Sequence, residues 1–134
     1  MVVDASIAVQ WFVPEPGSEA AASLLAGERP LAAPDIMPVE ASNAWWKKVR
    51  RREMNREQLD EALLNLLSLD IRWASSTHLL RRAAGLSVEL DHPVYDCLYL
   101  LLATEQRGEL ATADTRLRHA ARRLDVDLWV AAGA

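Results

Sequence analysis

Four carboxylate side chains stand alone within apolar stretches of this 134-residue sequence. Asp4 lies in MVVDASIAV, Glu40 in IMPVEASNAWW, Asp96 in HPVYDCLYLLLA and Asp114 in ELATADTRL. Burying an ionised carboxylate without a partner costs several kcal/mol or more, so packing alone does not explain four such acids. Sites made only of oxygen ligands suit Mg²⁺ or Mn²⁺. The four acids therefore predict a divalent metal site, provided that the fold brings them together.

An alternation of strands and helices is expected to position these acids. The stretches MVVDA, PLAAP, LDIRWA, ELATA and VDLWV are typical of short buried strands, and amphipathic or apolar helices lie between them. This pattern favours an α/β fold, a three-layer α/β/α sandwich with a short, mostly parallel sheet, forming one domain over residues 1–134. The expected helix-starting residues are Ser18, Pro38, Asn55 with Gln58, Ser76 or Thr77, Pro93 and Asp114.

The acids are expected to meet at one edge of the sheet. Asp4 and Asp114 each end a strand, and Glu40 and Asp96 lie in the first turns of helices, where the helix dipole favours negative charge. Each acid also has a simpler explanation, because Asp is a common N-cap and Glu40 could merely complement a dipole. Asp96 is the hardest to explain in that way, since its neighbours are apolar on nearly every side of its helix.

Polar residues near the acids fit the same pocket. The hydroxyls of Ser6 and Thr112 could orient carboxylates. Asn43 and Lys47 follow Glu40 by one and two helical turns and so share its face. Lys47 could contact a phosphate, or it could be an ordinary solvated lysine.

The composition limits the classes of function. The net charge is −4, so a broad basic surface for nucleic acid is not expected, although a local patch remains open. No apolar run reaches the length of a membrane span, so we expect no membrane association. Cys97 is the single cysteine, which excludes an internal disulfide and favours a cytoplasmic protein.

The segments VVDASIAV, APDIMPVEASNAWW, HPVYDCLYLLLA and LATADTRL resemble, in order and spacing, those of the PIN-domain nucleases, and among them the VapC toxins of bacterial and archaeal toxin–antitoxin pairs. The resemblance covers essentially the whole chain. It implies that Asp4, Glu40, Asp96 and Asp114 form an acidic quartet that is catalytic and holds metal, with Ser6, Asn43 and Thr112 as accessory polar residues.

The same resemblance implies a reaction and partners. The reaction is hydrolysis of RNA phosphodiester bonds with Mg²⁺ or Mn²⁺ as cofactor, and the partners are a second copy of the chain and a VapB-like antitoxin. The basic run that contains Lys47, Arg50 and Arg51 could contact RNA. Trp45 and Trp46 point about 100° apart on a helix, so both can hardly be buried against one surface, and one could lie at a partner interface.

The expected chemistry follows from the acids. Clustered carboxylates should raise the pKa of at least one of them, and a metal ion would remove that strain and generate the attacking nucleophile from water. Such attack leaves a 5′-phosphate. Attack by the ribose 2′-OH usually requires a pair of histidines, but His78, His92 and His119 lie in no motif that suggests one, and His92 is interpreted as a helix-entry residue.

Two other functions stay open at this point. One is a catalytically inactive module of the same fold that binds RNA. The other is an aspartate-based phosphotransfer protein, although Ser6 stands where a dehalogenase-type phosphatase has its second Asp.

Overall fold

A parallel four-stranded sheet organises the molecule, for which a computed structural model describes residues 1–131. The strands are β1 (Val2–Val3), β2 (Leu31–Pro34), β3 (Ile71–Ala74) and β4 (Leu110–Ala111). Their order across the sheet is β3-β2-β1-β4, and every pair is parallel. The two shortest strands, β1 and β4, lie side by side, with Val2 opposite Leu110 and Val3 opposite Ala111.

Seven helices of the described residues pack on this sheet and on one another. They are α1 (Ala5–Phe12), α2 (Ser18–Ala26), α3 (Met37–Arg50), α4 (Arg56–Ser68), α5 (Ser76–Leu90), α6 (Val94–Gln106) and α7 (Thr115–Arg123). Helix α6 contacts β1, β2 and β4, while α1 and α3 pack against each other. The prediction of an α/β fold with a parallel sheet is confirmed.

Helix α6 is the apolar centre of the molecule. Its buried side chains include Leu98, Tyr99, Leu100 and Leu102, and the neighbouring strand residues Val2 and Val3 are fully covered. A helix that is apolar on nearly all sides belongs in a core, as its sequence predicts. No helix within residues 1–131 combines the length and the apolar character that crossing a membrane requires.

Several details of the elements differ from the sequence-based expectations. The stretch VDLWV forms no regular strand; it contributes one parallel bridge, from Leu128 to Leu110. The caps of α2 and α5 are Gly17 and Ser75, each one residue before the expected start. The hydroxyl of Ser76 instead accepts a hydrogen bond from the backbone N–H of Ile36 and so ties α5 to the start of α3.

Other local predictions are confirmed. Asn55 and Gln58 form a full capping box at α4, and Asp114 caps α7. Pro38 lies in the first turn of α3, and Pro93 directly precedes α6. The starts of α3, α4, α6 and α7 therefore lie where the sequence predicts them.

Candidate active site

The carboxyl-terminal edge of the sheet carries two of the four acids directly. Asp4 follows β1 and Asp114 follows β4, which are neighbouring parallel strands. Both are also N-caps, since Asp4 accepts from the backbone N–H of Ile7 and Asp114 from that of Arg116. Asp4 and Asp114 are therefore N-caps and also lie at the same edge of the sheet.

Asp4 is the buried acid of the four, with 4% of its surface exposed. Its Oδ1 accepts hydrogen bonds from the Ser6 hydroxyl at 2.6 Å and from the Ile7 N–H at 3.2 Å, and its Oδ2 accepts one from the Thr112 hydroxyl at 2.5 Å. Burial raises the pKa of Asp4 to about 6 despite these bonds, and the charge of Asp114 adds a smaller increase. A raised pKa was expected, but burial rather than mutual repulsion is its main cause.

Thr112 joins the ends of β1 and β4. Its hydroxyl donates to Asp4 and accepts a hydrogen bond from the backbone N–H of Asp114 at 3.0 Å. The Ser6 hydroxyl lies 3.4 Å from that of Thr112 and accepts from the N–H of Ala113 at 2.8 Å. Ser6 and Thr112 thus both donate hydrogen bonds to the carboxylate of Asp4, which is the contact that an orienting role requires.

Glu40 and Tyr99 connect α3 with α6. The Tyr99 hydroxyl donates to Glu40 Oε1 at 2.5 Å, although the two residues are 59 positions apart. Burial raises the pKa of Glu40, the hydrogen bond opposes this, and the charge of Asp96 raises it further. Sequence reasoning missed Tyr99, and the only signal was its position one helical turn after Asp96.

Asp96 is half-buried, and its side chain contacts a residue that lies just before the start of α6. The ring nitrogen Nε2 of His92 lies 2.6 Å from Asp96 Oδ2. Burial raises the pKa of Asp96, and contact with His92 counteracts part of the rise. His92 is therefore more than a helix-entry residue. The i,i+4 spacing of a histidine and an acid was the signal that could have found it.

The four acids lie near enough to influence one another electrostatically, but they form no compact cluster. The charge of Asp114 influences the pKa of both Asp4 and Asp96, and the charge of Asp96 that of Glu40. However, no three His, Cys, Asp or Glu side chains in the described part of the chain are grouped so that they could hold an ion as they stand. The expectation that all four acids are buried is wrong, because Glu40, Asp96 and Asp114 are only partly covered.

A groove of about 850 Å³ is lined by Glu40 and Asp114, whereas Asp4 and Asp96 do not line it. Its walls combine acidic, basic and aromatic side chains, among them Ser6, Glu40, Asn43, Lys47, Arg51, Tyr95 and Asp114. The expected shared face of Glu40, Asn43 and Lys47 is therefore present.

Residues 1–123 match the family model of the PIN domain. The chain belongs to the PIN domain family. Ribonuclease VapC3 of Pyrobaculum aerophilum is 30% identical over 119 residues, which cover 87% of this chain and 91% of the relative. The crystal structure of PAE2754 from the same organism superimposes with a TM-score of 0.70 at 23% identity, over 92% of this chain and 91% of the other. The relative supports a nuclease, and the structural likeness shows the fold.

The basic residues of this PIN domain are not equivalent. Lys47 and Arg51 line the groove, whereas the guanidinium of Arg50 stacks 4.9 Å from the centre of the Trp46 ring. Trp46 is 47% exposed and Trp45 is fully buried, which confirms that the two tryptophans cannot share one surface. Of the three residues expected to contact RNA, two therefore line the groove together with Glu40 and Asp114.

The oxygen atoms that the PIN domain site could offer as ligands suit a hard divalent cation. Glu40 and Asp114 present carboxylate oxygens in the groove, and Asp4 is linked to Asp114 through Thr112. Oxygen ligands are those that Mg²⁺ and Mn²⁺ prefer. Membership of the PIN domain family disfavours the phosphotransfer alternative.

Proposed function

We propose that this PIN domain is a metal-dependent endoribonuclease, and the toxin of a VapBC-type pair. The observation that carries the proposal is one groove in which the carboxylates of Glu40 and Asp114 lie with the cationic side chains of Lys47 and Arg51. Cations bind a phosphate backbone, and carboxylates bind the metal that such hydrolysis needs. The similarity to a protein named a ribonuclease supports the same reaction class.

The residues that would hold Mg²⁺ or Mn²⁺ are Asp4, Glu40, Asp96 and Asp114. A divalent cation bound there would activate water and offset the charge that develops on the phosphate. Because these carboxylates are not grouped in the described residues, the side chains would have to come together around an ion. Their mutual repulsion, visible in the raised pKa of Glu40 and Asp96 after the larger effect of burial, is what a cation would relieve.

The residues of the chain itself supply binding and orientation. Lys47 and Arg51 would hold phosphates of the RNA along the groove, and Asn43 could donate to a phosphate or a ribose between them. Glu40, one of whose oxygens accepts from Tyr99, would orient the attacking water with the other. If this water attacks with the ribose 3′ oxygen as the leaving group, the P–O3′ bond breaks and the products carry a 5′-phosphate and a 3′-hydroxyl.

Two partners belong to the proposal. Trp46 on α3 and Tyr95 at the groove expose aromatic surface of the kind that protein interfaces cover. We assign these positions to contacts with a second copy of the chain and with a VapB-like antitoxin. An antitoxin that reaches the acids would do so with a cationic side chain, for reasons of charge alone.

The decisive test is Asp96→Asn with RNA and Mg²⁺. We expect cleavage to fall about a hundredfold, because several kcal/mol of electrostatic stabilisation depend on the ligating acids. Excess EDTA should stop cleavage by the wild type, and Mn²⁺ should restore it. Sequencing of product ends checks for 5′-phosphate. Wild-type cleavage that persists in EDTA would defeat the metal model, and RNA binding without cleavage would favour the inactive module.

The role of the cations can be measured separately through salt dependence. Replacing Lys47 and Arg51 together by Ala should weaken RNA binding and flatten the plot of log affinity against log salt by roughly 0.7 per lost phosphate contact. Arg56→Ala on α4, where the exposed Arg56 pairs with Asp60, is the matched control. Equal salt slopes in the double variant and the control would remove these two residues from the RNA site.

A further inference from the structure

The Tyr99 ring packs in the core, but its hydroxyl makes a contact that core packing does not need. The ring belongs to the core of α6 and the residue is 1% exposed, so the hydroxyl must find a hydrogen-bond partner within the protein. Its partner is a carboxylate of the groove, Glu40, on a different helix. A backbone carbonyl would satisfy a buried hydroxyl without an ionised group, so the pairing is unusual for packing alone.

The same hydroxyl lies within reach of the charge at the end of β1. The charge of Asp4 acts on this hydroxyl, as does that of Glu40, to which the hydroxyl donates its hydrogen bond. Asp96 precedes Tyr99 by three residues, one turn along the same helix.

Glu40 has no other hydrogen-bond donor among the contacts that the described residues make with its carboxylate. One oxygen, Oε1, is fixed by Tyr99, and the residue lines the groove, where a ligand can reach the carboxylate. Without the hydroxyl, the flexible glutamate side chain would sample several rotamers.

We propose that Tyr99 is a positioning residue, which fixes one oxygen of Glu40 so that the other is presented to the metal and water in the groove. The inference rests on the proposed function, because it assigns Glu40 a role in that chemistry. Hydrogen-bond partners that orient a ligating group are worth about 10–100-fold in metal affinity or activity.

The test is Tyr99→Phe, which keeps the ring and removes the hydroxyl. We expect Mn²⁺ affinity, measured by calorimetry on the protein without RNA, to fall about 10–100-fold, together with kcat. KM for RNA should change less than about twofold, since Lys47 and Arg51 are untouched. Ser87→Ala, which removes a hydroxyl that bonds a carbonyl within α5, is the control and should bind Mn²⁺ like the wild type. Unchanged Mn²⁺ affinity and kcat in Tyr99→Phe would overturn the proposal.

A double-mutant cycle separates positioning from a general structural effect. In a Glu40→Gln background, Tyr99→Phe should cause no further loss of Mn²⁺ affinity, because the carboxylate that it positions is gone. The same loss in both backgrounds would mean that Tyr99 acts through packing, and the inference would fail.

Failure of the inference differs from failure of the proposed function. If Tyr99→Phe behaves as wild type while Asp96→Asn loses cleavage as expected, only the positioning role is wrong. If the wild type binds Mn²⁺ in a manner that depends on Tyr99 but cleaves no RNA, the nuclease proposal is wrong and the positioning of Glu40 stands.

Discussion

Asp4→Asn is expected to lose RNA cleavage by roughly a thousandfold while becoming more stable than the wild type in EDTA at pH 7.5. Removing one electrostatic stabiliser of charge in a transition state costs about 10²–10³ in rate, and Asp4 also anchors Thr112 and, through it, Asp114. The opposite effect on stability arises because the folded protein holds this carboxylate in a site from which water is excluded.

The pH dependence of stability follows from the raised pKa of Asp4. Between pH 3.8 and about 6 the folded state binds a proton that the unfolded state has released, so the free energy of unfolding falls as the pH rises through this window. Above about pH 6 the ionised Asp4 lowers the free energy of unfolding by roughly 3 kcal/mol relative to its value below pH 3.8. Glu40 and Asp96, whose pKa values burial also raises, contribute with the same sign.

Thermal unfolding in EDTA at pH 5 and pH 7.5 measures this effect. The wild type should be more stable at pH 5, and Asp4→Asn should lose a large part of that difference. Asp60→Asn changes an exposed carboxylate on α4 and serves as the matched control, with no expected change in cleavage. Equal responses to pH in wild type and Asp4→Asn would show that Asp4 ionises freely in the folded protein. Retained cleavage in Asp4→Asn would exclude it from the reaction.

The positions of Asp4 and Asp114 at the edge of the sheet could be predicted because each depends on a short local sequence pattern. A β-branched pair, Val2–Val3, followed at once by an acid and a helix specifies a strand that ends at Asp4. The same order recurs at Leu110–Ala111 and Asp114. Parallel strands then place both acids at one edge whatever the details of packing.

The partners of the other acids could not be predicted, because they depend on how helices cross. Tyr99 reaches Glu40 only because α6 and α3 meet at this edge, and no local pattern encodes that contact. The degree of burial was also misjudged for Glu40, Asp96 and Asp114, since apolar neighbours in sequence do not have to cover a side chain in space. The missing strand at Leu128 has a similar cause: β-propensity shows a preference for a pleated surface, but pairing decides whether a strand forms.

Thr112 offers the second test, because one hydroxyl serves two elements of the site. It is 4% exposed, donates to the buried carboxylate of Asp4 and accepts from the N–H that begins the turn into α7 at Asp114. Thr112→Val keeps the shape of the side chain. It leaves the buried Oδ2 of Asp4 without its donor and the partly buried N–H of Asp114 without its acceptor. Each unsatisfied group costs about 1–3 kcal/mol.

We therefore expect Thr112→Val to be destabilised by about 2–3 kcal/mol, which corresponds to a fall in Tm of about 5–10 °C. The lost hydrogen bond also raises the pKa of Asp4 further, so the window in which stability falls with rising pH extends upward. Cleavage should fall about 10–100-fold, because the orientation of Asp4 relative to Asp114 is lost. Thr104→Val is the matched control, since the Thr104 hydroxyl bonds a carbonyl within α6. If Thr112→Val loses stability but keeps full cleavage, the hydroxyl serves the fold alone, and the link between β1 and β4 is not part of the catalytic arrangement.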